Sequence, residues 1–141
     1  MAAQGGGTGR QIESGENRKG VERGAAVVDF VLIGALLTLL FLAIVQLTLV
    51  LHVRNTLIDA AASGARYGTL ADRNDGDAKE RTVQLITAAL NADFARDVGT
   101  SESTFQGIRT LEVTVRAPLP VIGFIGPRAL LEVKGHAAIQ R

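Results

Sequence analysis

The sequence has no cysteine and no tryptophan. Without cysteine there is no disulfide and no thiolate metal site, although the compartment stays open, since many exported proteins lack cysteine too. Aromatic residues make up only 4% of the chain, too few for the stacking platforms that hold bases or sugars. Charge of one sign is also missing: 15 basic against 14 acidic residues leave +1, so no global basic field points to nucleic acid. The two histidines, His52 and His136, stand far apart and have no neighbouring ligand at metal spacing. There is no serine–histidine–acid arrangement, phosphate loop or carboxylate pair fit for acid–base work. The expectation is a protein that is not an enzyme, with no catalytic, metal or cofactor site.

What is present is one apolar block. Phe30 to Leu51 reads FVLIGALLTLLFLAIVQLTLVL, without a charge, its polar members being Thr38, Gln46 and Thr48. At about 1.5 Å per residue this is a helix of about 33 Å, which matches a bilayer core of roughly 30 Å. A chain of 141 residues could scarcely bury so long an all-round apolar helix in a water-soluble core. The block is therefore read as a membrane-spanning helix with the lipid bilayer as its partner. Arg18, Lys19 and Arg23 precede it, while Arg54 and Arg66 are the nearest strong cations beyond it. Counted over basic residues, this asymmetry places the N-terminus in the cytoplasm and the C-terminal domain outside. The run exceeds the roughly 7–15 residues of a signal-peptide core, and the small-residue string Ala60 to Ala65 lies too far beyond it for ordinary cleavage. A retained single-pass anchor in the cell membrane is expected.

The segment before the block, Met1 to Gly20, is rich in glycine and polar residues and lacks periodicity. It has too little apolar surface to offset its ordering entropy, so disorder is expected. The junction reads Glu22-Arg23-Gly24-Ala25-Ala26-Val27-Val28-Asp29-Phe30. Asp29 places one carboxylate in the first turns of an apolar helix. That costs a few kcal/mol at mid-bilayer and less at its edge. Either the group has a function there, or it lies at the interface, where the positive helix N-terminus favours it.

Gly24, four small or apolar residues, then Asp29 and Phe30 resemble the processing site of a type IV-like prepilin. The resemblance implies cleavage between Gly24 and Ala25 by a membrane prepilin peptidase. It also implies an assembly role for Asp29 and Phe30, with the carboxylate meeting the new α-amino group of a neighbouring subunit. This chain has Asp29 where that class usually has Glu. RGAAVVDFVLIGALLTLL followed by NTLIDAAASGARYGTL is similar to the TadE-like family of tight-adherence (Tad) pilus proteins. The likeness is good over Arg23 to Leu70 and looser over the C-terminal strands. It implies a minor pilin or pseudopilin, located in the membrane or the pilus, whose partners are the peptidase, other Tad pilins and assembly-platform proteins. The alternative is an uncleaved single-pass anchor carrying a binding domain for an envelope complex.

The remaining chain predicts an α+β exported domain. Leu57 to Leu70 continues the helix, and Leu57, Ala61, Gly64 or Ala65, and Gly68 fall near one face. That face admits close approach of another helix, or belongs to a plain alanine-rich amphipathic helix. Asp72 to Asp77 is a turn by composition. A calcium loop of about twelve residues would end on Glu, and counting from Asp72 gives Val83. Ala78 to Ala95 predicts a second helix with the stripe Val83, Ile86, Leu90 and Phe94. Val98 to Gly107 reads as a polar loop. Leu111, Val113 and Val115 then alternate with Glu112, Thr114 and Arg116, as in a half-buried strand ended by Pro118 and Pro120. Val121 to Ile125 reads as an apolar loop, and Ala129 to Ile139 as a last strand, antiparallel to the first. The expected organisation is a disordered leader over 1–24, the point of any cleavage, a transmembrane helix over 25–53 and a pilin-like domain over 54–141.

Overall fold

The computed structural model describes residues 9–120 and 129–140. Its elements are helix α1 (Gly9–Gly68), helix α2 (Asp75–Ala89), a short 3₁₀ turn (Ala92–Ala95), and strands β1 (Asp97–Phe105), β2 (Ile108–Pro118) and β3 (Leu130–Ala138). The strands form one antiparallel sheet in the order β1-β2-β3. The chain divides into two units, Met1–Ile44 and Val45–Arg141. The first contains the N-terminal part of α1; the second contains the rest of α1, α2 and the sheet. The α+β class with a long apolar N-terminal helix, a second helix and a closing strand pair is as expected.

Helix α1 is helical from Gly9, where disorder was expected through Gly20; residues 1–8 lie outside the described residues. The physical reason is that a nucleated helix gains one hydrogen bond for each residue added. Glu16, Arg18, Lys19, Glu22 and Arg23 are good helix formers.

In the second unit, α1 turns one face inward. Val53, Leu57, Ala60, Ala61 and Ala65 are buried with Ala78 and Ile86 of α2 and with Leu111, Val113, Val115, Ala117 and Val133 of the sheet. The alternation predicted for β2 is observed: Leu111, Val113, Val115 and Ala117 point to the core, while Glu112, Thr114 and Arg116 do not. Its pairing with β3 sets Val113 opposite Gly135 and Val115 opposite Val133. The small side chains explain how closely these layers approach. A Cβ on Gly135 would stand 2.7 Å from the Ala61 carbonyl oxygen, and one on Gly68 would stand 2.8 Å from Leu111 Cδ2. Gly64 likewise lies directly against Ala78 and Thr82 of α2. The close-approach face read on Leu57 to Gly68 is therefore occupied by the chain's own sheet and second helix.

Two boundaries differ from expectation. Helix α2 starts at Asp75 because Asn74 and Asp77 form a reciprocal capping box, with Asn74 Oδ1 accepting from the Asp77 amide at 3.1 Å and Asp77 Oδ2 from the Asn74 amide at 2.9 Å. It ends at Ala89 rather than Ala95. Asn91 offers its side-chain oxygen to the Asp93 amide at 2.7 Å, a local bond that competes with helix continuation. The stripe still packs inward, with Ile86 buried and Val83, Leu90 and Phe94 against the core. The polar loop read over Val98 to Gly107 is mostly strand β1, turned back by Gln106 and Gly107, both at positive φ. Only Val98 of β1 is buried, so an edge strand of this kind lacks the apolar alternation that identifies strands in sequence. The apolar loop read over Val121 to Ile125 lies outside the described residues.

Candidate processing and assembly segment

Gly24, Ala25, Asp29 and Phe30 all lie within α1, in its first unit, and all are exposed. An added Cβ at Gly24 would meet nothing within 4 Å. Ala25 and Asp29 are four residues apart, one above the other on a single helix face. Phe30 is 78% exposed and begins a run whose large apolar side chains are open on every side of the helix, among them Leu32, Ile33, Leu36, Leu40 and Phe41. Its most apolar window has a mean hydropathy of 2.7 and none of it is buried. This one apolar helix fits a single-pass membrane anchor.

Two polar groups of the run, Thr38 and Gln46, are satisfied in ways that suit lipid. Thr38 donates its hydroxyl to the Gly34 carbonyl at 2.8 Å, within the helix. Gln46 Nε2 donates to the Pro120 carbonyl at 2.6 Å. A buried polar group left unpaired in an apolar medium costs several kcal/mol, so both bonds matter to where the helix can reside. Gln46 stood out in sequence only as a polar residue among apolar ones; its partner, some 74 positions away, carries no sequence signal.

Sequence reading also missed the charged ladder on the outer face of the sheet. Glu112 accepts from Lys134 Nζ at 3.0 Å and lies 2.8 Å from His136 Nε2. The hydrogen bond from Lys134, and then that from His136, hold the Glu112 carboxyl below its ordinary range, and the same contact raises Lys134. Arg116 bridges Glu132 at 2.9 Å and Asp97 at 4.0 Å. These pairs join neighbouring strands. His52, by contrast, lies exposed on α1, where its backbone carbonyl accepts the Thr56 hydroxyl. Among the described residues no group of three or more His, Cys, Asp or Glu side chains is arranged to hold a metal. The acidic turn before α2 is occupied with capping and with the Arg73–Asp77 pair.

No curated protein and no solved structure matches the chain. The family model described as TadE-like protein matches residues 24–66. That segment starts at Gly24, takes in Ala25, Asp29, Phe30 and the whole apolar run, and continues along the small-residue face of α1. Over residues 24–66 the chain is thus similar to the TadE-like family.

Proposed function

We propose that the protein is a minor pilin or pseudopilin-like structural component of a Tad-type pilus and secretion system. It is stored in the membrane by α1 with its N-terminus cytoplasmic, and a prepilin peptidase prepares it for assembly by cutting between Gly24 and Ala25. The observation that carries this reading is that the family match opens at Gly24, shortly before the stretch of α1 whose apolar residues are exposed on all sides. Glycine suits the site because a larger side chain would obstruct approach to the scissile backbone. Cleavage would leave Ala25 with a cationic α-amino group, of reference pKa about 7.7–8.0, and the Asp29 carboxylate one turn further on. A buried charge is tolerated when paired, and in an assembly the carboxylate of one subunit meets the amine of the next. Other Tad pilins and assembly-platform proteins are the partners this requires.

N-terminal sequencing of membrane-extracted protein from cells with an active prepilin peptidase tests the reading. The expected N-terminus is Ala25. Gly24→Leu should leave full-length, inserted protein, and Asp29→Ala should be processed yet fail to enter the assembly. Protease added to spheroplasts should digest the C-terminal domain. An unprocessed wild-type chain removes the prepilin step and leaves the alternative of a permanent anchor with a binding domain.

A further inference from the structure

Three contacts within the second unit fix β2 alongside α1, running the opposite way. Pro120 meets Gln46, Gly135, the cross-strand pair of Val113, meets the backbone of Ala61 and Ala62, and Leu111 meets Gly68. From Pro120 back to Val113 is about 23 Å of strand at about 3.3 Å per residue. From Gln46 to Ala61 is about 23 Å of helix at about 1.5 Å per residue. The two scales agree, so heights can be read across. Pro118 and its pair Leu130 lie about 7 Å above Gln46, level with Val50. Arg116 lies about 13 Å above it, level with Arg54.

Both elements change character at the same height. On the helix the last exposed apolar residues are Leu47, 60% exposed, and Leu51, 44% exposed. His52 and Arg54 follow. On the sheet Leu130 is 67% exposed beside the exposed Pro118, and the next residues along the same face are Arg116 and Glu132, joined to each other. Two elements distant in sequence thus share one apolar-to-charged boundary, and it crosses the folded domain above Gln46.

Resting on the anchor reading, we propose that the Pro118–Leu130 end of the domain is seated in the interfacial layer of the bilayer that α1 crosses. Pro118 and Leu130 contact lipid there, and Arg116, Glu132 and Arg54 stand at headgroup level. Pro118 and Leu130 lie two residues, about 7 Å of strand, below the charged Arg116–Glu132 level, which matches the roughly 5–10 Å to which apolar surfaces enter the headgroup–acyl boundary. This seat also gives the Gln46–Pro120 bond a physical role, because the carboxamide then lies where water does not reach it.

The absence of cysteine makes single-cysteine labelling direct. The full chain, as Leu130→Cys or Ser103→Cys, would carry an environment-sensitive fluorophore in phosphatidylcholine vesicles containing brominated lipids. Ser103 is exposed and lies at the opposite end of the sheet. The label at Leu130 should be quenched several-fold more than that at Ser103, most strongly by bromines near the headgroups. Pro118→Cys should repeat the Leu130 result. A carbonate-resistant chain with no lipid quenching at Leu130 overturns the seat and leaves the anchor. A label shielded from water-soluble thiol reagents but not quenched by lipid overturns it in favour of a protein occupant, such as a second copy. A chain released by carbonate overturns both readings.

Discussion

Gly135→Ala adds one methyl group at the point where the sheet rests on α1. The new Cβ would stand 2.7 Å from the Ala61 carbonyl oxygen and closer still to the Ala61 carbonyl carbon and the Ala62 nitrogen. Overpacking of a core generally costs about 1–3 kcal/mol and occasionally more. The upper end applies here because the obstructing atoms are helix backbone, which cannot rotate away as a side chain can. Gly99→Ala is the control, since its Cβ would meet nothing within 4 Å. It should be neutral or stabilise by about 0.4–1 kcal/mol through reduced unfolded-chain entropy. A gap of about 3 kcal/mol between the two variants is therefore expected, or about a hundredfold in the unfolding equilibrium at about 1.4 kcal/mol per tenfold. Urea-dependent pulse proteolysis of the full chain in detergent micelles would measure it on the C-terminal domain. Equal midpoints for the two variants would refute the placement of β3 on α1, and with it the explanation of why a glycine lies in the middle of that strand.

Val113→Asp should cost about 4 kcal/mol or more in the same assay, because it places an unpaired carboxylate at a fully buried position of β2. The Glu112 ladder predicts a pH dependence. Lys134 and His136 hold the Glu112 carboxyl below its unfolded value, so its contribution is complete above that unfolded value of about 4.3 and is lost as pH falls through the lowered folded one. Domain melting followed from neutrality down to about pH 3 should therefore show less acid destabilisation in Glu112→Gln than in the wild type; parallel curves would show that the ladder contributes nothing.

Sequence was most informative where one face or one block carries the signal. Phe30 to Leu51 declares itself by length and lack of charge, and β2 by the alternation of Leu111, Val113 and Val115. Helix α2 was legible through its stripe, but its end was not. The break at Leu90 depends on a bond that the Asn91 side chain accepts from the Asp93 amide, and Ile86 and Phe94 pack inward on either side of that break. Strand β1 was hidden because eight of its nine residues are not buried, and pairing to β2 rather than burial holds it in place. Gly135 did carry a readable signal, since a glycine inside a strand often marks close backbone approach. Which backbone approaches is tertiary information. The same holds for Gln46, whose acceptor comes from the far end of β2.

The matched segment 24–66 joins two kinds of helix surface in one continuous element. From Phe30 to Ile44 the helix is apolar on every side and exposed. From Gln46 onward one face is given over to the domain, through Val53, Leu57, Ala61 and Gly64. These demands on sequence differ. A lipid-facing or subunit-facing helix tolerates any large apolar residue, whereas the docking face needs residues small enough for Gly135 and Thr82 to lie against the helix backbone. Leu and Phe therefore crowd the first stretch, and Ala and Gly the second. Extension of the match to Arg66, beyond the span itself, means that what is matched includes the support on which the domain is built. A substitution at Gly64 should therefore damage the domain and leave insertion intact, because the added Cβ would strike Thr82 and Ala78 while the apolar run is untouched. Carbonate-resistant but protease-sensitive protein is the expected phenotype of Gly64→Leu. Loss of membrane association instead would show that anchor and domain do not fold independently along this helix.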